Sequence, residues 1–555
     1  MDKQNIRLIF WFAIFAVGVL LYNTWQSDAQ LKQEQKQQAV AVAPKKNDIP
    51  EAMIASASKS SNAILSAGEI ETAKIDPARI ITVKTDVFNL KIDTMGGDII
   101  FLDLPKYPAT LDDPNQGFVL LEEAKNRFYV VQTGLLNELG PDSTALGRAN
   151  YKFNSSNYVM GDDESIMNVD MNYVTRTGVS ITKRYIFTRG SYDIRLHYII
   201  DNKSSANYEV SPFGRIKRTA PVDESTGMFG AMRTYTGAAV NTPDKRYQKI
   251  SFADMQKNNY SEEVMGGWAA MVEHYFATAL VPAVDSKNYF QSENFGGDLF
   301  GIRFVSEAKI IPPGVLEIIE TKVYAGPEVA AQLKQVAPGL ELTIDYGFLW
   351  FICQPIFWLL RTMHQVLGNW GVAIIATTVI IKGLFYKLSA TSYKSMGNMR
   401  KLQPKIETLK QRYGDDKQGF SKAMMELYRK EKVNPLGGCL PILVQIPVFI
   451  ALYYVLLESV ELRQAPFMLW IHDLSAKDPY YVLPIIMGIS MLIQQRLNPT
   501  PPDPMQAKVM MVMPIFFTFL FLQFPSGLVL YWVVNNVLSI LQQWIITRRI
   551  ERAAA

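Results

Sequence analysis

The hydrophobic pattern of the chain changes near residue 340. From about 78 to 325, apolar and polar positions alternate, as in Phe88, Leu90 and Ile92 or across residues 192–200. A period of two is typical of half-buried antiparallel strands. Many such short strands, separated by Gly, Asn and Asp turns, predict a large antiparallel β-sandwich over residues 76–340, with a closing helix over 327–336.

Beyond residue 345, one apolar run follows another. Five of them, at 370–388, 440–457, 480–494, 509–524 and 528–546, approach the roughly 17–25 residues that a helix needs to cross a bilayer. A sixth run, 8–22, follows Lys3 and Arg7, and no small-x-small cleavage site comes after it. The sequence therefore predicts a polytopic α-helical membrane protein with six transmembrane helices, the first being an uncleaved signal anchor.

The predicted domain boundaries follow these changes of pattern. The Gln-, Ala-, Lys- and Ser-rich stretch after the anchor cannot bury enough surface to offset its ordering, so it predicts a flexible linker, with an irregular alanine-faced helix as the alternative. The stretch before the second span favours an interfacial helix on the outer leaflet, although two full crossings also fit. The planned segments are the anchor 1–26, the linker 27–75, the β-sandwich 76–340, the interfacial helix 341–368, transmembrane helices at 369–388, 439–458, 480–497, 507–524 and 527–547, a cytoplasmic hairpin at 389–438 and a short tail at 548–555.

The charges between the spans predict the topology. The loop 389–438 contains eleven basic and five acidic residues, a net charge of +6, whereas the next loop is acidic, the loop after it and the tail are again basic, and the turn 525–527 is uncharged. Positively charged loops stay in the cytoplasm. Both termini are therefore expected in the cytoplasm and the β-sandwich in the periplasm.

The basic loop also contains two short amphipathic patterns. Apolar residues recur every three or four positions from Met399 to Tyr413 and again from Phe420 to Leu427, which predicts an antiparallel coiled-coil hairpin. Its charges either only enforce the topology or form a docking arm for an anionic partner, such as ribosomal RNA or a targeting factor. The docking candidates are Arg400, Lys401, Lys405, Lys410, Arg412 and Lys417.

Lys382 lies about a dozen residues into an otherwise apolar run. It either snorkels to the headgroups beside Lys387 or faces a polar cavity. The cavity is favoured because none of the C-terminal spans contains a carboxylate to pair with the lysine, which suggests that the counter-charge arrives with a substrate. Prolines 441 and 447 predict a broken helix nearby. The predicted cavity-lining residues are Lys382, Thr378, Gln445, Tyr531, Trp532 and Asn535.

Composition argues against several other kinds of site. Cys353 and Cys439 lie in apolar segments and the four histidines show no ligand spacing, so neither a disulfide framework nor a metal site is predicted. The sequence contains no Gly-x-x-x-x-Gly-Lys-Ser/Thr motif, so no use of ATP is expected. We predict no catalytic residues, no metal and no cofactor.

Three long motifs carry a resemblance to a known family. They are Asn434-Pro435-Leu436-Gly437-Gly438-Cys439, the segment 459–474, and Phe524-Pro525-Ser526-Gly527-Leu528-Val529-Leu530-Tyr531-Trp532. With them, the whole chain closely resembles the YidC/Oxa/Alb membrane protein insertases in their Gram-negative form, which has a large periplasmic domain. The resemblance implies a β-supersandwich in the periplasm. It also implies a hydrophilic groove, open to the cytoplasm and to lipid, with one essential positive residue at the position of Lys382.

The chain departs from the family pattern in a few places. The family usually has arginine where Lys382 stands and often tyrosine where Trp532 stands. Lys387 replaces a proline that ends the helix in close relatives, which predicts that this helix runs further. The tail is shorter and less basic than in members whose tail binds ribosomes, so tail-mediated ribosome binding is not expected.

The function that the resemblance implies is that of an insertase and chaperone of the inner membrane. It inserts nascent membrane proteins into the lipid bilayer and helps them fold, alone or with the Sec translocon, with ribosomes and targeting factors as partners of the hairpin. It is not expected to be an enzyme. Two other functions fit the residues: a secondary transporter of a small anionic solute, and a membrane-anchored enzyme that acts on periplasmic glycans.

Overall fold

The computed structural model describes residues 76–138, 140–143, 146–221, 234–414, 416–431, 433, 440–498 and 504–552. Two compact units follow each other along the chain, and the boundary between them lies between Asp345 and Tyr346. We call them the β unit and the helical unit.

The described part of the β unit contains twenty strands in two sheets. In chain order they are β1 (Ile80–Lys84), β2 (Asn89–Asp93), β3 (Asp98–Pro108), β4 (Gly117–Glu123), β5 (Phe128–Leu136), β6 (Lys152–Phe153), β7 (Asn157–Val159), β8 (Ile166–Val174), β9 (Val179–Thr188), β10 (Asp193–Asn202), β11 (Tyr208–Thr219), β12 (Gly237–Asn241), β13 (Gln248–Ile250), β14 (Ser261–Met265), β15 (Trp268–Val272), β16 (Phe276–Val281), β17 (Lys287–Gly296), β18 (Leu299–Ser306), β19 (Lys309–Ile311) and β20 (Leu316–Pro327). One sheet has the order β14-β17-β18-β11-β5-β4-β3-β2-β1-β7, with β19 beside β11, and the other has the order β13-β12-β15-β16-β20-β10-β9-β8-β6.

The strand β10 shows how the alternating pattern produces these sheets. Its residues are alternately half-buried and buried along its whole length. It pairs antiparallel with β9 on one side and β20 on the other. The buried set, which includes Leu196 and Tyr198, therefore lies on one face and packs in the core. The predicted alternation over 192–200 is confirmed.

Two short helices belong to the β unit. Helix α1 (Phe252–Lys257) begins with a capping box in which Ser251 and Asp254 satisfy each other's backbone N–H groups, and it was not predicted. Helix α2 (Ala330–Val336) is the predicted closing helix. It begins three residues later than predicted, because Pro327 is still the last residue of β20.

A lysine is buried among the strands of the β unit. Lys183 of β9 is fully buried, and its Nζ donates hydrogen bonds to the carbonyl oxygens of Gly96 (2.7 Å), Gly97 (2.9 Å) and Thr133 (2.8 Å). These acceptors lie in the β2–β3 turn and in β5, so the lysine joins the two sheets. All three protons of its ammonium group are used.

Charges surround this lysine in the same core. Arg148 forms ion pairs with Asp98 and with Asp142, the second at 3.2 Å. Burial raises the pKa of Asp98, which the positive charges of Arg148 and Lys183 oppose. Burial lowers the pKa of Lys183, which Asp98 opposes. The ammonium thus has a complete set of acceptors and carboxylates nearby.

A second buried ionisable group lies at the junction of β20 and α2. Glu328 is 2% exposed, and its backbone N–H donates to the Tyr275 carbonyl oxygen at 2.8 Å. Burial raises the pKa of Glu328 to about 8, with Asp345 adding to the rise. The carboxyl is therefore protonated at neutral pH.

The helical unit begins with an apolar helix that has one packed face. In chain order the helices are α3 (Trp350–Leu367), α4 (Trp370–Leu384), α5 (Tyr386–Lys401), α6 (Gln403–Tyr413), α7 (Lys417–Lys430), α8 (Leu440–Glu458), α9 (Val482–Leu497), α10 (Pro504–Phe521) and α11 (Ser526–Arg552). In α3, Cys353 and Leu360 are buried while Trp358 is 67% exposed. Gly368 in the left-handed conformation ends α3, and the Asn369 side chain caps α4.

The run that contains Lys382 does not form a longer straight helix. It ends as α4 at Leu384, and α5 leaves at an angle of 68°. The N–H of Phe385 bonds to carbonyls two and four residues back, which tightens the last turn before the bend. The prediction that the helix runs further because proline is absent at Lys387 was therefore wrong.

The predicted break in the proline-containing run was also wrong. Helix α8 is one helix from Leu440 to Glu458, with Pro447 inside it. Pro441 falls in the first turn, where a missing N–H costs nothing. A different proline does end a helix: Pro404, at the start of α6, separates α6 from α5.

Hydropathy and length identify one described helix, Ser526–Arg549, as able to cross a membrane, and the bent pair α4–α5 would be a second if it counts as one span. Three further apolar helical stretches, Val444–Glu458, Val482–Leu497 and Lys508–Phe521, are shorter. The first predicted span lies outside the described residues. The count of six transmembrane helices stays a prediction.

Helices α6 and α7 form the predicted hairpin. Leu402, Ile406 and Tyr428 are buried between them, with Phe420 and Met424 packed against this core. Asp416 caps α7 by accepting hydrogen bonds from the N–H groups of residues 418 and 419. The first amphipathic pattern is divided between two helices, because Met399 belongs to α5.

Candidate functional site

Four helices of the helical unit surround a small cavity at the C-terminal end of α4. Its volume is about 20 Å³, and α4, α5, α8 and α11 all contribute to it. Five of the six predicted cavity residues line it, namely Lys382, Thr378, Gln445, Tyr531 and Asn535. The sixth, Trp532, lines a second cavity of about 430 Å³, which shares Gln445 and Asn535 with the first. The structure therefore places all six in one region.

Lys382 makes one hydrogen bond in this cavity. Its Nζ donates to the Ser539 hydroxyl at 2.7 Å, and that hydroxyl donates in turn to the Asn535 carbonyl at 2.7 Å. The side chain is half-buried. In the described part of the chain, no carboxylate forms an ion pair with it. A lysine ammonium has three protons to donate, so two remain for water or for a ligand in the cavity.

The other predicted residues form the walls. Thr378 is 2% exposed and its hydroxyl donates to the Ile374 carbonyl at 2.6 Å, so its proton is already used. Tyr531 is 1% exposed, and its hydroxyl has the Gln445 side chain as a hydrogen-bonding neighbour. These residues give the wall polarity without charge.

Trp532 lines the second cavity. Its ring packs edge-on against Phe449, with the ring centres 4.6 Å apart. Its Nε1–H is buried and has no acceptor among the described residues, although a buried indole N–H usually has a partner.

Sequence reasoning missed several polar residues that belong to the site. Ser539 holds the lysine, and Tyr393 of α5 lines the second cavity. Gln543 donates to the Leu497 carbonyl at 3.1 Å. Asn536, which the sequence does indicate as a polar residue of this span, donates to Ser490 of α9 at 2.9 Å. The positions 532, 536, 539 and 543 recur every three or four residues along α11. That polar stripe was the available signal.

At its N-terminal end, α4 is closely packed. A Cβ atom on Gly371 would lie 2.0 Å from the Phe467 ring, so only glycine fits there. Two residues before Gly371, the Asn369 side chain donates a hydrogen bond to the Phe467 carbonyl at 2.9 Å. A loop thus covers the start of the helix opposite the cavity.

The predicted docking residues lie on exposed surface, except that the side chain of Lys417 is outside the described set. Arg400 and Lys401 end α5, whereas Lys405, Lys410 and Arg412 belong to α6. Lys405 forms an ion pair of 2.6 Å with Glu431. Among the described residues, no group of His, Cys, Asp and Glu is placed to hold a metal ion.

Comparisons with known proteins match both units. A family model described as "YidC periplasmic domain" matches residues 80–359, and one described as "60Kd inner membrane protein" matches residues 362–553. The chain is 51% identical over 559 residues to a membrane protein insertase YidC of Pseudomonas fluorescens, covering 100% of the chain and 99% of the relative. It is 49% identical over 556 residues to that of Pseudomonas syringae, covering 99% and 98%.

A crystal structure titled as an active YidC insertase with its first transmembrane domain resolved is also similar. It is 21% identical, covers 83% of this chain and 92% of that one, and has a TM-score of 0.38. This score is too low to support a conclusion.

The two family matches and the full-length relatives define an insertase of the inner membrane, with a β-rich periplasmic domain and a C-terminal membrane region. The chain belongs to the YidC family of membrane protein insertases. A solute transporter is not favoured, because the relatives are insertases over the full length.

Proposed function

We propose that Lys382 acts as a temporary counter-ion for polar, often acidic, segments of a nascent membrane protein. The observation that carries this proposal is the incomplete bonding of its ammonium group, which has one hydroxyl partner and opens on a cavity lined by polar side chains. A polar segment would enter this groove and exchange water for the ammonium, the Gln445 amide and the Trp532 N–H. The groove thus lowers the cost of desolvating the segment.

The apolar part of the substrate then leaves the groove for lipid. Moving apolar surface out of water releases about 25 cal/mol per Å², which supplies the driving force. A membrane potential that is positive outside adds about 2.3 kcal/mol per 100 mV for each acidic residue carried across. In this scheme, neither ATP nor a cofactor takes part.

The topology of the proposal follows the charge of the loops. Six transmembrane helices, the anchor at 1–26 included, place both termini and the hairpin in the cytoplasm and the β unit in the periplasm. The exposed apolar side chains of α10 and α3, such as Phe519 (76%) and Trp358 (67%), suit contact with lipid. Cysteine accessibility on either side of the membrane tests this arrangement.

The hairpin would bring the cytoplasmic partners. Its exposed basic residues suit ribosomal RNA or an acidic targeting factor, and the Sec translocon would share substrates with the groove. Replacing Arg400, Lys401, Lys410 and Arg412 by glutamine should weaken co-sedimentation with ribosomes and reduce its salt dependence. Unchanged co-sedimentation would limit these charges to setting topology.

The groove is tested by substitution and crosslinking. Lys382→Glu should abolish insertion of single-span substrates while Lys382→Arg retains it, because the charge and not the shape of the group is required. Photocrosslinkers at Thr378, Gln445 and Trp532 should capture stalled nascent chains. Normal insertion by the glutamate variant would refute the role of Lys382.

A further inference from the structure

The β unit contains a strand edge that no other described strand covers. Strand β20 pairs with β10 from Leu316 to Tyr324, but it pairs with β16 only from Lys322 to Pro327. On the side of β16, the first part of β20 therefore has no neighbour among the described strands. The chain leaves β16 at Pro282, which cannot donate to a ladder.

The backbone groups along this edge can be assigned from the registers. Val315 accepts from Asn202 on the β10 side, and Glu328 donates to Tyr275 on the β16 side. In an antiparallel sheet, successive residues alternate between the two sides. The N–H and C=O groups of Leu316, Ile318 and Glu320 therefore point to the uncovered side.

This edge lies inside a cleft and not on a flat border. Residues 318–322 line a cleft of about 900 Å³ together with the loop 281–286 and the segment 306–309. Its surface includes Met265 (55% exposed) and Val284 (84% exposed), and Ile318 beside them is 50% exposed. Uncovered strand edges with apolar side chains are templates for pairing with another strand.

We propose that this cleft binds an extended polypeptide segment, which adds to β20 as a strand in the place that a longer β16 would occupy. The main-chain groups of Leu316, Ile318 and Glu320 that face the cleft offer an extended chain a hydrogen-bonding partner. Strand addition takes its affinity from main-chain hydrogen bonds and its preference from alternate side chains. The cleft would therefore bind segments of many different sequences.

The chemistry of the walls narrows the occupant. The exposed apolar side chains favour alternating β-branched residues in the bound segment. The charges that line the cleft are mixed, with Asp285, Glu307 and Glu320 against Lys309 and Lys322, so the walls do not require one sign of charge in the bound segment. This inference rests on the proposed function, because the occupant we propose is the translocated, still unfolded part of an insertion substrate.

The first test measures peptide binding. The full chain in lipid nanodiscs is titrated into a fluorescent nine-residue peptide of alternating Val and Thr with a Lys at each end, followed by anisotropy. Ile318→Pro removes one backbone N–H that points into the cleft, so we expect the peptide to bind at least tenfold more weakly. The same peptide methylated on every central backbone nitrogen should not bind. The proposal would be overturned if the Ile318→Pro variant bound the peptide as tightly as the unmodified chain does, or if the methylated peptide bound as tightly as the plain one. It would also be overturned if the unmodified chain did not bind the peptide.

The chain offers a matched control on another free edge. Ile166 of β8 is 48% exposed, and its N–H points away from β9, beyond the short partner β6. Ile166→Pro therefore makes the same chemical change in the same sheet outside the cleft. It should bind the peptide as the unmodified chain does, and weakening equal to that of Ile318→Pro would overturn the assignment to this cleft.

The second test identifies the occupant during insertion. A photocrosslinker at Val284 should capture the translocated segment of a substrate with a long periplasmic loop, and Ile318→Pro should prevent this. Capture of a second copy instead would overturn the proposal. Lys382→Glu should lose insertion but keep peptide binding. If the unmodified chain does not bind the peptide but Lys382→Glu still abolishes insertion, only the cleft proposal is refuted. If the Lys382→Glu variant inserts substrates normally and the peptide still binds, only the groove proposal is refuted.

Discussion

The two units each take a lysine out of bulk water, but they treat it differently. In the β unit, Lys183 donates to three carbonyl oxygens at 2.7–2.9 Å and has Asp98 and Asp142 nearby. In the helical unit, Lys382 has one hydroxyl as its hydrogen-bond partner and no carboxylate partner among the described residues. The first ammonium is fully bonded within the fold, and the second is not.

This difference separates a structural charge from a functional one. A buried charge without partners is costly, so a fold that keeps one incompletely bonded does so for a reason outside the fold. For Lys183 the strands supply every acceptor, and nothing further can bind. For Lys382, we propose that a substrate supplies the missing acceptors.

The largest effect should come from Lys183→Met. Removing the ammonium takes one donor from each of three carbonyl oxygens and one cation from two carboxylates. The free energy of unfolding of the β unit should fall by about 3–5 kcal/mol. Thermal unfolding and limited proteolysis of the full chain would show this, with Arg184→Met of the neighbouring exposed position as a control. An unchanged stability would mean that Lys183 is not a structural charge.

Lys382→Met should give the opposite result. Insertion of a single-span substrate should fall at least tenfold, because the groove loses its counter-ion. Thermal stability should not fall, since the lysine has few partners to lose. Insertion into proteoliposomes and melting of the same preparation test both parts, and a clear loss of stability would make Lys382 structural like Lys183.

A pH series extends the comparison to a buried acid. The pKa of Glu328 is raised by burial to about 8, above its ordinary value of 4.5. The stabilisation from this group is complete below pH 4.5 and is lost as the pH rises through about 8, because the unfolded chain releases the proton first. Glu328→Gln should remove this pH-dependent fall in the free energy of unfolding, which amounts to at most about 1.4 kcal/mol per pH unit. A pH dependence that survives the substitution would assign it to another group.

The smallest effect is expected from Ser539→Ala. The alanine removes the hydroxyl that holds Lys382, so the ammonium becomes more mobile but keeps its charge. Insertion should fall about two- to threefold, and Ser539→Thr, which retains the hydroxyl, should restore it. A tenfold loss would instead show that the position of the ammonium matters as much as its charge.

The sequence predicted the strands because alternation marks each buried face, as in β10. It also predicted which side chains gather around Lys382, because polar residues in apolar runs are few. It did not predict the bend at Phe385 or the continuity of α8 through Pro447. Both depend on how neighbouring helices pack, which a local pattern does not contain. Ser539 was missed because a single serine in a helix is unremarkable until its partner is known.

The contact between Gly371 and the Phe467 ring has a consequence for the energy supply of the cell. A wet cavity partway across a membrane would discharge the proton gradient if it continued to the other side. At the N-terminal start of α4, backbone and ring lie too close for a methyl group, so no water fits between these two. In the proposed topology, close packing of this kind on the outer side would act as electrical insulation. It would let a polypeptide be handled in a hydrated space while the ions that power the membrane stay where they are.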